Sequence, residues 1–148
     1  MYASNKPGTV LCACTTVKKL SRILGRIYDA GLADAGINIT QLAVIRCINR
    51  RPGEPLSRVA EELELDRTSL YRAIDPMIRD GWVAVSDGPD NRSRTAKLTR
   101  KGNNLLAKAG TDWDSVQDAI VQKFGKGNYQ GLIDQLYRLA ECAEALEA

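Results

Sequence analysis

Between Asp66 and Arg72 the chain reads Asp-Arg-Thr-Ser-Leu-Tyr-Arg, which sets five hydrogen-bond-donating side chains around one apolar residue. Arg67, Thr68, Ser69, Tyr71 and Arg72 can donate to phosphate oxygens and base edges if a helix presents them together. Backbone amides at a helix start add further affinity for phosphate. The same chemistry returns between Arg92 and Lys101, where Arg92, Arg94, Lys97, Arg100 and Lys101 stand beside Asp87 and Asp90 with no acid among them. An arginine on a thin ribbon suits the minor groove, where negative potential is concentrated. Each cluster also has a plainer reading, because exposed helix starts are polar and charge runs are usually solvated faces.

Other chemistries are poorly supplied. The chain has no histidine, which removes Ser-His-Asp and Cys-His nucleophile activation and His-ligated zinc. No paired carboxylates in a glycine-rich cleft and no nucleotide fingerprint are found, so no enzyme and no cofactor are expected. Of the four cysteines, Cys12 and Cys14 precede a helix with Lys18, Lys19 and Arg22 in its first turns. That placement should lower the Cys12 pKa and favour thiolate, making Cys12 and Cys14 candidates for redox sensing. Their spacing, with no histidine partners, does not suit a zinc site, and no metal is expected. Cys47 and Cys142 read as small core residues.

The elements that must position these groups follow from apolar periodicity. Val17, Leu20, Leu24, Ile27 and Gly31 recur at helical steps, predicting a first amphipathic helix from Thr15 to Leu32. Thr40 is a suitable cap for a second helix, which Arg51-Pro52-Gly53-Glu54-Pro55 stops. A short third helix over 57–63 and a fourth opening at Asp66 have the dimensions of a helix-turn-helix. Pro76 inside the fourth should bend it near 72–76. Trp82 to Val85 and Arg94 to Leu98 flank the turn formers Asp87-Gly88-Pro89-Asp90-Asn91 and predict a hairpin, which must lean on the helices to be stable. Thr99 can cap a long helix to Phe124, and after Gly125 to Gly127 a last helix carries Leu132, Leu136, Leu139, Ala143 and Leu146 on one stripe. The first and last two helices expose more apolar surface than one small lobe can cover, and pairing with a second copy would bury it; an intramolecular bundle is the alternative.

Charge divides along these elements. Residues 1–45 hold five basic and two acidic residues, 46–101 twelve and nine, and 102–148 four and seven. The basic excess therefore covers the reading elements and the C-terminal third is acidic. No apolar run approaches the roughly 20 residues that span a bilayer, and no basic-then-apolar leader opens the chain. No membrane association and a cytoplasmic address are expected.

Asp66 to Arg72, Arg79-Asp80-Gly81-Trp82-Val83, Asp90-Asn91-Arg92-Ser93-Arg94 and Leu98-Thr99-Arg100-Lys101-Gly102 together resemble the winged helix-turn-helix of the MarR family of bacterial transcriptional regulators. The wing Asp-x-Arg followed by Leu-Thr-x-x-Gly is the most specific part, and the likeness spans nearly the whole chain. It implies a mainly α fold with a two-stranded β-wing: an N-terminal dimerisation helix in 1–35, a DNA-binding lobe in 36–101 and C-terminal dimerisation helices in 102–148. It further implies a homodimer on a palindromic double-stranded DNA operator, acting as a repressor. By that likeness Thr68, Ser69 and Arg72 face the major groove and Arg67 and Tyr71 lie near phosphates. Asp90 would orient Arg92 or Arg94, with Arg94 at the minor groove. A small aromatic or phenolic effector would sit near Arg22, Arg26 and Ile45. One branch of the family senses hydroperoxides through an N-terminal cysteine held by tyrosines, which Ile37 to Leu42 do not supply here. The competing function is an architectural DNA-binding protein with low sequence specificity.

Overall fold

The computed structural model describes residues 12–89 and 93–146. Helix α1, Ala13–Leu32, ends in a single 3-10 turn, Ala33–Ala35, closed by Gly36 in the left-handed conformation at φ 74°. Helix α2, Ile39–Arg50, does not start from Thr40. Its cap is Asn38, whose side chain accepts from the Gln41 amide at 2.8 Å while the Gln41 side chain accepts from the Asn38 amide at 3.1 Å. This reciprocal pair satisfies two otherwise orphaned donors, which a lone threonine two residues later does not. Asp29 of α1 accepts from the Ile39 amide at 2.8 Å and fixes the angle between the two helices.

Helix α3, Leu56–Glu62, follows Pro55, and α4, Arg67–Arg79, follows Asp66. The turn between them places Glu64 at φ 50° and is closed by the Leu65 amide on the Ala60 carbonyl at 2.9 Å. Helix α4 continues through Pro76 as one helical element from Arg67 to Arg79. The neighbouring Ala73 carbonyl accepts from the Gln41 side chain at 3.4 Å, so α2 braces α4 next to the carbonyl that the proline leaves unpaired.

Strands β1, Val83–Asp87, and β2, Arg94–Leu98, pair antiparallel, with Val83 opposite Leu98 and Asp87 opposite Arg94. The hairpin is supported as expected. Pro55 bridges Thr95, and the Gly53 amide donates to the Ala96 carbonyl at 3.0 Å, so the loop before α3 borders the outer edge of β2. Helix α5, Arg100–Phe124, is capped by Thr99, and α6, Lys126–Glu144, follows Gly125.

The core lies in the lobe. Leu42, Val44, Ile45, Cys47 and Ile48 of α2 pack with Leu56, Val59, Leu70, Ile74, Met77, Val83 and Ala96. Each large side chain buried this way contributes roughly 1.5–3 kcal/mol against exposure. The remaining helices differ. Helix α5 buries only Gly102 and Ala109, and α6 buries none of its described residues. Val17, Ile27, Phe124, Leu132, Tyr137, Leu139 and Leu146 are all exposed. Cys47 is a core residue as expected, but Cys142 is exposed, because its helix packs mainly on α5 and encloses nothing. No helix among the described residues is long and apolar enough to cross a membrane.

Candidate nucleic-acid interface

Asp66 organises the first turn of α4. Its carboxylate accepts from the Ser69 amide at 2.7 Å and from the Ser69 hydroxyl at 3.0 Å. These two donors, the amide foremost, hold the carboxyl below the usual carboxylate range. The cap has a consequence for Ser69. The hydroxyl proton is committed to Asp66 and the residue is half-buried, so Ser69 faces outward as an acceptor only.

At 3.6 residues per turn, Arg67 and Arg72 are separated by about 140° around the helix, and both are exposed. They lie on opposite flanks of the reading face. Arg67 stands 5.6 Å over the Tyr71 ring. With Tyr71, Ser57 of α3 and Ser93 and Arg94 of the hairpin it lines a cleft of about 450 Å³ floored by Leu56, Ala60 and Leu70. Arg72 lines a second cleft of about 310 Å³ with Ser69, Asn38 and Thr40 at the start of α2. Thr68 is exposed between the two flanks. The fold therefore gathers Arg67, Thr68, Tyr71, Arg72 and Arg94 onto one side of the lobe from two elements distant in sequence.

Arg94 stands at the turn end of the hairpin ladder. It opens β2 directly opposite Asp87, beside the recognition helix. Asp90 and Arg92 lie outside the described residues. Asp87 closes β1 as the strand residue in register with Arg94.

The Leu-Thr-x-x-Gly motif has a mechanical role. The Thr99 hydroxyl donates to the Gly81 carbonyl at 2.6 Å and accepts from the Gly102 amide at 3.0 Å, while the Thr99 amide donates to the Trp82 carbonyl at 3.0 Å. A Cβ at Gly102 would collide with that carbonyl, which is why a side chain is absent there. Lys101 adds a hydrogen bond to the Asp80 carbonyl at 2.8 Å. The end of α4, the start of the hairpin and the start of α5 are thereby clasped together.

The residues expected near an effector differ in exposure. Arg22 and Arg26 are exposed on α1, whereas Ile45 is fully buried in the lobe core, so Ile45 is a packing residue rather than a wall of an open pocket. Where α1, α2 and α5 meet, the structure instead places Tyr28, Arg46, Trp113 and Gln117.

Cys12 and Cys14 are exposed, with Cys12 at the start of α1. The Cys12 thiol is lowered below its usual value, first by the Thr15 backbone amide and then by the Thr15 hydroxyl. Lys18 contributes least, which corrects the expectation that the lysines and Arg22 would dominate. The charges of exposed lysines are screened by water, whereas a donor facing the sulfur is not.

Comparison with known proteins agrees with this architecture. Residues 37–94 match the MarR family profile. A crystal structure of the M. tuberculosis transcriptional regulator MosR in complex with DNA superimposes with a TM-score of 0.83 at 32% sequence identity, covering 93% of this chain and 100% of that one. The transcriptional repressor CouR bound to a 23-mer DNA duplex shares the fold, with a TM-score of 0.80 at 21% identity over 87% and 92% of the two chains. An HTH-type transcriptional regulator of Bacillus subtilis, YhbI, is 27% identical over 124 residues, 80% of each chain. The chain belongs to the MarR family of winged-helix transcriptional regulators.

Proposed function

We propose that the protein is a sequence-specific repressor that binds a palindromic double-stranded DNA operator as a homodimer. The observation that carries this reading is the convergence of Arg67 and Tyr71 of α4 with Arg94 of β2 on one cleft, with Arg72 on the other flank. Such a surface can engage a helix groove and its adjacent phosphates at once. The DNA-bound relatives MosR and CouR support the choice of partner. DNA as partner implies a cytoplasmic site of action.

In this reading Thr68 and Arg72 donate to base edges, Ser69 accepts through its oxygen, and Arg67 and Tyr71 approach phosphates. Arg94 and Arg92 serve the wing, with Asp90 shaping its tip. Residues 36–101 form the DNA-binding lobe, and 1–35 with 102–148 form the dimer. The exposed apolar residues of α1, α5 and α6 support that division, since a second copy would cover them.

Release is assigned to a small effector or an oxidant. An aromatic or phenolic anion would bind where the arms meet the lobe, with Arg22 and Arg26 as the exposed cations on α1. Cys12 favours the oxidant route, because it is exposed and its thiolate is stabilised. Peroxide should then release DNA from the wild type but not from Cys12→Ser; an unaffected wild type removes the thiol from the input.

Titration against DNA upstream of the protein's own gene and against random DNA at one stated salt concentration tests the main reading. A regulator should prefer its operator by roughly 10³-fold or more. A ratio near unity would instead favour an architectural DNA-binding protein.

A further inference from the structure

Trp113 stands at the junction between the lobe and the arms with two aromatic or cationic partners from two other helices. The Arg46 guanidinium of α2 lies 4.3 Å from its ring centroid. The Tyr28 ring of α1 is 6.3 Å away at an interplanar angle of 22°, and the Tyr28 hydroxyl donates to Gln117, one turn further along α5. Gly31 meets Val116 so closely that a Cβ there would collide with it. Helices α1 and α5 are thus locked together, and Arg46 is the side chain by which α2 reaches the locked pair's tryptophan.

We infer that the Arg46–Trp113 contact is a strut that fixes the separation of the two recognition helices and so sets the operator spacing the dimer accepts. This inference rests on the homodimeric operator reading proposed above. Helix α2 turns Leu42, Ile45 and Ile48 into the core shared with α4, and Gln41 holds the Ala73 carbonyl of α4. A displacement of α2 against α5 is therefore carried to the reading face rather than absorbed. Arg46 is half-buried. Burial pushes its pKa down, chiefly by desolvation, while Asp114 acts in the opposite sense. Guanidinium suits such a place, since it is weakly hydrated and its plane lies flat on an aromatic face, whereas a lysine ammonium can approach the ring only as a strongly hydrated point charge. In a two-fold dimer any change at this contact occurs on both sides, and one base pair of spacing corresponds to only about 3.4 Å.

Arg46 and Trp113 are accordingly positioning residues, exposed to test by operator spacing. Full-length wild type, Arg46→Lys and Trp113→Phe are titrated against the operator and against versions with one base pair added or removed at its centre. Wild type should discriminate sharply among the three. The variants should lose roughly 3- to 30-fold on the natural spacing and discriminate less, because a loosened joint admits other separations. If both variants keep the wild-type ratio of affinities across the series, the strut is overturned, even if overall affinity falls. Arg46→Lys, a half-buried change that retains charge, carries the test should Trp113→Phe fail to fold. A wild type with no preference for its operator over random DNA overturns the operator reading itself, and is recognised without any variant.

Discussion

The winged-helix lobe and the helical arms are built from similar amphipathic helices, yet they end in opposite states. In the lobe, α2, α3, α4 and the hairpin enclose nearly all of the apolar core. In the arms, α6 encloses nothing and α1 and α5 leave Val17, Ile27 and Phe124 open. The difference shows that an apolar stripe specifies a helix but not its partner. Lobe stripes converge within one chain because short connections at Gly36, Pro55 and Asp66 fold them back on each other. Arm stripes lie on long helices whose length exceeds what the lobe can cover, and in the proposed dimer a second copy covers them.

That contrast can be broken most forcefully in the lobe. Ile74 is fully buried, and Ile74→Ala should cost about 2–5 kcal/mol, read as a fall in the denaturation midpoint at every protein concentration. The arms should answer differently. Leu139, 45% exposed in the protomer, lies on the proposed dimer face, so Leu139→Asp should weaken dimerisation by about 30-fold or more. Sedimentation would show dissociation while circular dichroism of the lobe is retained; loss of helical signal at high concentration would mean that the arm folds against its own chain instead.

The reading face should be separable from both regions. Arg72→Ala should weaken operator binding by about 1–3 kcal/mol and relax sequence preference, with the unfolding midpoint and dimer constant unchanged. A uniform loss on operator and random DNA would reassign Arg72 to phosphate. The smallest effect lies in the Asp66 cap. Its folded pKa is depressed by Ser69, so its contribution is present above the unfolded value of about 3.9 and is lost as pH falls through the lower, folded value. Asp66→Asn keeps an acceptor at the cap but does not titrate, so its thermal midpoint should fall less than that of wild type between neutral pH and pH 3. Parallel curves would show that the cap acts without its charge.

Local chemistry explains where the sequence was legible. Asp66 and Thr99 were readable as caps because a short oxygen-bearing side chain acts on an amide three residues away. Asn38 obeys the same rule with Gln41 three residues on, and this reciprocal pair takes the cap from Thr40. Cys12 was placed correctly as a perturbed thiol, but for charges that solvent screens rather than for Thr15. The exposure of Cys142 was not legible, because burial depends on what another helix brings to it.

From the sequence alone came the helix-turn-helix, the hairpin, the cluster from Arg67 to Arg72 and the family likeness, all of which rest on residue type and short spacing. Tertiary structure alone decided that Arg67 and Arg94 share one cleft, that Gly102 must be bare beneath the Trp82 carbonyl, that Ile45 is core, and that Arg46 meets Trp113. Periodicity assigns a face to each helix from spacing within a few turns. Which faces meet depends on chain reversals and packing between residues far apart in sequence.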